Sequence, residues 1–444
     1  MRTATRGAAA LITLGVLLSQ APIARAYEFV PREGAVGAAP TSGPSEADPT
    51  AAPSSEISDR AEPTTAPTEA PSTPPPAGDP DSAAEPPVAQ SWSELAGQVA
   101  ATSPSNLNLR VTAAEQSKQV MRCFKLETEN YCLGLGFVDK LPTGAEISST
   151  VAEPDTARDD LRAGVSAEQD IATGALSPAA FVAERAEMNQ GQRTNAELEE
   201  MQAAWDGRDK ARALRELDGN PPADAPGSGE PSGGQTVVPK PGDPSTKPAP
   251  PPLKPPAATK PKPASNYIMK GYQTSQDKGY WCGPATFQSI DWADDKQKDT
   301  QASWAKDLGA TTSGTAISAM VKQTNLKTNW DLAAGTYIVQ NVSHWTPAKF
   351  LQVHQNHLGD AAPAPVIEHV QLLKRYFPYL AFNHSGHYQV GRGYDMKAKT
   401  VGIYEVFNER RFNSRGNVTN GPRNIPATAM FNATLANAFK NIGL

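Results

Sequence analysis

Four side chains in the last 180 residues have types and neighbours suited to attack on an acyl carbon. Cys282 stands in Tyr280-Trp-Cys-Gly-Pro-Ala-Thr-Phe. Gly283 and Pro284 suit the first turn of a helix there, because the N–H that proline lacks would be unpaired in that turn anyway. A thiol at a helix N-terminus meets the positive end of the macrodipole, which favours the thiolate that a nucleophile needs. Gln276 lies upstream in Gln273-Thr-Ser-Gln-Asp. Its amide can return over the thiol and, with the Cys282 backbone N–H, donate to a developing oxyanion.

The matching base is a histidine far downstream, presented by a strand. His384-Ser-Gly-His-Tyr-Gln-Val-Gly-Arg-Gly-Tyr-Asp offers His387 at the head of an alternating run that ends at Gly393. His384 is the competing base; three residues away on a strand, it would point to the other face. A later run, Gly402-Ile-Tyr-Glu-Val-Phe-Asn, ends at Asn408, which is expected to orient the imidazole of His387. His354 and His357 share a helix face and could bind a metal with His369 or Asp360, but no second ligand pair has matching spacing. A solvated helix is the expectation for them. His344, beside Trp345, reads as structural, and the pair Gly391 and Gly393 is too weak a signal for a nucleotide site.

Gln276, the Cys-Gly-Pro-Ala run at Cys282, the Gly-His-Tyr strand at His387 and the later strand together make the region from Tyr272 to Phe412 similar to papain-like cysteine peptidases related to the double-glycine-leader, bacteriocin-processing peptidases. The resemblance implies an α+β papain-like fold in which a Cys-bearing helix packs on an antiparallel sheet. It also implies Cys282 as nucleophile, His387 as general base and Gln276 in the oxyanion hole. That family ends its last strand in Asp-Pro, whereas this chain has Asn408 before Glu409. Family members that trim export leaders are fused to a transporter with an ATPase. This sequence has no phosphate-binding Gly-x4-Gly-Lys loop, so that role is not carried over.

The elements that must position these residues occupy only part of the 444-residue chain. Of its 41 prolines, fourteen fall between Tyr27 and Gln90 and fifteen between Asn220 and Ala264. Such stretches cannot bury a core, and both read as spacers, the second a Pro/Lys-rich tether. Residues 1–26 read as an export signal: a charged start, an apolar run from Gly7 to Leu18, and Ala24-Arg25-Ala26 as a small-x-small cleavage site. Two foldable blocks are left, 91–219 and 265–444. In the first, Cys123 and Cys132 flank a polar turn between two strand-like runs. Their spacing suits a disulfide staple better than a redox pair, and export supplies the oxidising conditions. Helices are expected from Thr156 to Leu217.

The formal charge of −6 divides unevenly, with 18 basic against 12 acidic residues from Asn266 onward, giving +6, and −12 before it. No basic stripe or aromatic-basic motif marks nucleic acid as a partner. The composite expectation is a secreted monomer without cofactor or mature membrane span. It would hydrolyse a peptide or related amide bond, extracellular or cell-wall associated; the alternative is a silent domain of the same fold that only binds peptide or wall polymer. Opposite charge could draw the first block onto the second and limit access to Cys282, but independent domains on a tether, the commoner use of such a spacer, are the expectation.

Overall fold

The computed structural model describes residues 85–152, 173–217 and 262–444. The signal expected at 1–26 and most of both spacers lie outside these residues. At the spacer ends, however, ordered structure begins earlier than composition indicates. Val88–Ala89 (β1) pairs in parallel with Lys125 and Leu126, and Met396 N–H donates to the Ala264 carbonyl at 2.8 Å.

The first block opens with helix α1 (Trp92–Thr102), capped by Ser91, whose hydroxyl accepts from the Glu94 N–H. Helix α2 (Ala113–Val120) carries a reciprocal capping box of Thr112 and Glu115; each such cap contributes about 1 kcal/mol. Strands β2 (Cys123–Leu126), β3 (Glu129–Cys132) and β4 (Gly136–Val138) follow as a meander. Cys123 lies directly opposite Cys132 in the β2–β3 register, and the two are joined by a disulfide. Among the described residues helices α3 (Gly144–Ala152), α4 (Pro178–Glu187) and α5 (Gln190–Glu216) follow, α5 again with a capping box, of Asn189 and Gln192.

In the second block β5 (Ser265–Tyr267) precedes α6 (Cys282–Asp295), α7 (Gln301–Asp307), α8 (Ile317–Lys327) and α9 (Trp330–Ala334). Next come β6 (Val339–Asn341), α10 (Pro347–Leu358), β7 (Val366–Gln371), β8 (Gly386–Asp395), β9 (Thr400–Glu405) and α11 (Glu409–Phe412). The chain ends with β10 (Gly421–Pro426), α12 (Ala427–Ala436) and β11 (Asn441–Gly443). The chain is thus a mixed α and β structure, a sheet with helices packed on it.

Both blocks build one sheet, ordered β1-β2-β3-β4-β6-β11-β7-β8-β9-β10, with β5 on β8. The seam is β4 against β6, parallel through Phe137 and Gln340. It is reinforced by Gln340 Nε2 donating to the Phe137 carbonyl at 3.3 Å, and by Asn441 Nδ2 reaching the carbonyls of Gly134 and Leu135 at 3.2 and 3.1 Å. Gly136 is required at this seam: its φ is +89° and a Cβ would stand 2.4 Å from the Val339 carbonyl oxygen. Strands β7 to β10 form an antiparallel meander, and all six residues of β7 are buried. Helix α6 lies on β8, with Thr286 Oγ1 donating to the Tyr388 carbonyl at 3.2 Å. Ala285, Ile290, Tyr388 and Val390 share one apolar cluster beneath it.

Candidate active site

Helix α6 begins at Cys282, with Trp281 as N-cap and no side-chain cap bond. The first-turn N–H groups are therefore open to other acceptors. The Cys282 N–H donates to the carbonyl of Thr173 at 3.1 Å. Gly283 admits a close neighbour, since a Cβ there would stand 2.6 Å from Thr315 Oγ1. The thiol is fully buried. Burial pushes its pKa well above the ordinary thiol value, outweighing the Tyr388 and Gly283 N–H groups that point at it and lower it; the Glu405 charge raises it further. The helix terminus is where a thiolate would be favoured, but in the arrangement described desolvation wins and the thiol is neutral.

His387 heads β8 and lies one residue before the Tyr388 N–H that faces the thiol. Its Nε2 is 2.7 Å from Glu405 Oε1, and its Nδ1 has no partner among the described residues. Glu405 is buried and serves four donors. Oε1 takes His387 and the Phe407 N–H at 2.8 Å; Oε2 takes the Tyr379 hydroxyl at 2.8 Å and Gln389 Nε2 at 2.7 Å. Burial alone would raise its pKa, but the imidazole and these donors outweigh it and hold the carboxyl below its ordinary value. Glu405 is therefore the ionised partner of the ring.

Asn408 does not occupy that place. Strand β9 stops at Glu405, and Asn408 is the N-cap of α11, with Oδ1 unpartnered among the described residues. The reason is register. Val390 pairs with Tyr404, so one step further Gln389 opposes Glu405 and His387 is Glu405's diagonal neighbour on the same face. Asn408 is an odd number of residues along the chain from Glu405, so strand alternation already sets it on the other face. Counted straight across the hairpin from Asp395 and Thr400, alternation would set His387 opposite Asn408; the one-residue bulge between Gly391 and Gly393 shifts the register and brings Glu405 onto the ring's face instead.

Gln276 is fully buried near the thiol. Its Nε2 donates to the carbonyls of Gly279 at 2.6 Å, Lys278 at 2.9 Å and Thr173 at 3.3 Å. Gln276 and Cys282 thus share the Thr173 carbonyl as acceptor, and Gln276 Oε1 has no partner among the described residues.

His384 lies in the turn before β8, not on the strand, and its Nε2 is 2.7 Å from Glu409 Oε1. Glu409 also accepts the N–H groups of Ala381, Phe382 and Asn417 at 2.8, 3.1 and 2.9 Å, so it ties down the segment that leads into His387. The solvated helix expected for His354 and His357 is overturned, because both are buried. His354 holds Glu368 Oε1 at 2.6 Å through Nε2 and the Phe350 carbonyl at 2.7 Å through Nδ1; His357 Nε2 meets the Pro365 carbonyl at 3.2 Å. Their buried surroundings, supplied chiefly by β8 and α12, were invisible from helix spacing. Among the described residues no group of three or more His, Cys, Asp or Glu is placed to hold a metal ion, and no helix is long and apolar enough to cross a membrane.

Residues 269–419 match the Peptidase_C39 like family. The matched segment contains Gln276, Cys282, His387, Glu405 and Asn408, and it is related to the papain-like cysteine peptidases of that kind. Thr173, the disulfide and the first-block strands lie outside it. No curated protein and no solved structure matches the chain.

Proposed function

We propose that this chain is a secreted thiol hydrolase of papain-like fold that cleaves a peptide or related amide bond. The observation that carries the reading is the state of His387: one ring nitrogen is fixed by an ionised buried carboxylate at 2.7 Å, and the other is unpartnered beside the strand position whose N–H faces the Cys282 sulfur.

In this reading His387 Nδ1 takes the thiol proton as Sγ attacks the substrate carbonyl carbon. The Cys282 N–H and Gln276 Nε2 receive the oxyanion; a single such donor is worth about 10²–10³ in rate. Nδ1 then protonates the departing amine as the C–N bond breaks, leaving a thioester. Water, deprotonated by the same nitrogen, hydrolyses the thioester to a free carboxylate and returns the thiol. Glu405 keeps the ring oriented and stabilises its charged form.

The test is the exported chain incubated with a peptide library, with products read by mass. Cys282→Ala should abolish new termini while the melting transition stays cooperative. Full activity in that variant would refute the thiol mechanism, and no cleavage either by the wild type or by a folded variant whose Cys282 has become accessible would favour a binding domain. Export through residues 1–26 is checked by N-terminal sequencing of secreted protein, where a start at Tyr27 is expected.

A further inference from the structure

A segment of the first block, Thr173 to Leu176, runs through the site as an extended strap. The Thr173 carbonyl is the shared acceptor of the Cys282 N–H at 3.1 Å and Gln276 Nε2 at 3.3 Å. Its hydroxyl donates to the Gly386 carbonyl at 2.6 Å and its N–H to Ser385 Oγ at 3.1 Å. The Ala175 N–H meets the same Gly386 carbonyl at 3.2 Å, on the residue next to His387. On the other wall the Thr315 N–H reaches the Gly174 carbonyl at 2.9 Å, and the Leu176 N–H returns to the Thr315 carbonyl at 3.0 Å, forming a parallel bridge. Leu176 anchors the downstream end in an apolar cluster with Phe181 and Phe439. With the strap in place Cys282, His387 and Gln276 have no solvent exposure.

Main-chain bonding to both walls of a cleft is how an extended peptide is held irrespective of its side chains. We infer that Thr173–Leu176 is a built-in occupant of the peptide cleft, which fills the oxyanion position with its own carbonyl and keeps Cys282 latent until it leaves. The inference uses the proposed function only for what the cleft is for; the occlusion itself is geometric. Gly174 is the point at which the strap can be dislodged. Its φ of +112° suits glycine, and a Cβ would stand 2.2 Å from the Tyr280 carbonyl oxygen, which is backbone and cannot swing aside.

The experiment measures iodoacetamide labelling of Cys282 in the native full chain, followed by mass spectrometry, with a melting curve for each variant. Gly174→Val should label at least about tenfold faster than wild type, since a buried thiol reacts only through opening. Gly97→Ala, which has nothing within 4 Å of the added Cβ, should not change the rate. A peptide Thr-Gly-Ala-Leu-Ser, added to Gly174→Val, should slow labelling again in a saturable way. If Gly174→Val does not melt cooperatively, Ser385→Ala takes its place, with a smaller acceleration expected from loss of one strap bond. Equal labelling in wild type and the folded strap variant overturns the proposal. Faster labelling without peptide hydrolysis would count against the catalytic reading alone, because alkylation needs no turnover.

Discussion

Glu405 Oε1 lies 2.7 Å from His387 Nε2, and Glu405 is the one carboxylate described as hydrogen-bonded to that ring. Glu405→Gln should therefore lower kcat by about 10²-fold or more, within the range for disabling a positioned acid–base group. Asn408→Ala should stay within about threefold of wild type, since its side chain does not reach the imidazole. Steady-state kinetics of the two variants on one peptide decide this, and a larger loss at Asn408 would return the orienting role to it.

Glu409 accepts His384 and three backbone N–H groups, so its removal leaves several buried donors unpaired at once. Burial alone would raise its pKa, but those donors hold it below the ordinary value, so its contribution is present above about pH 4.3 and lost as pH falls through the lowered native value. Glu409→Ala should cost about 3 kcal/mol by urea unfolding at neutral pH, and that loss should shrink in acid. A cost unchanged at low pH would show that packing, not charge, is at work.

His369 is buried between Tyr388 and Phe439, with Nδ1 on Asn441 Oδ1 at 2.8 Å. Burial lowers its pKa to about 4. Between that value and the ordinary ~6.5 the unfolded chain binds a proton that the folded chain refuses, so stability falls as pH falls through this window. His357, lowered by burial to about 3, acts in the same sense. His369→Gln should flatten the drop in unfolding free energy between pH 6.5 and 4.5, by an amount on the order of 2 kcal/mol. An unaltered pH slope would locate the acid sensitivity elsewhere.

The Cys123–Cys132 bond and the single free cysteine, Cys282, predict one labelled thiol when the chain is unfolded and alkylated without reductant. Reduction before unfolding should give three labels. Removing the bond should lower stability by roughly 2 kcal/mol, since the closed loop is short. Three labels without reductant would remove the staple.

Much of the site could be read from the sequence because its signals are local. Cys282 heads a helix as Gly283 and Pro284 imply, and the disulfide follows from two cysteines flanking a turn. What escaped depended on register and on contacts distant in sequence. Glu405 was hidden by the bulge between Gly391 and Gly393, because a register shift of one residue exchanges the faces of a strand. The burial of His354 was hidden because its partner Glu368 lies on another element. The Thr173 carbonyl at Cys282 was beyond reach, since nothing in an Ala-Thr-Gly-Ala run announces a strand in a cleft.

The seam between β4 and β6 also bears on how the protein would respond to proteases. A cut anywhere in 220–264 severs the covalent path between the blocks, but not the parallel pairing at Phe137 and Gln340 or the Asn441 bonds to Gly134 and Leu135. The nicked protein should therefore persist as a two-chain molecule whose pieces elute together in buffer and part only in denaturant. High salt should not part them, because that seam is made of main-chain and amide hydrogen bonds rather than charge pairs.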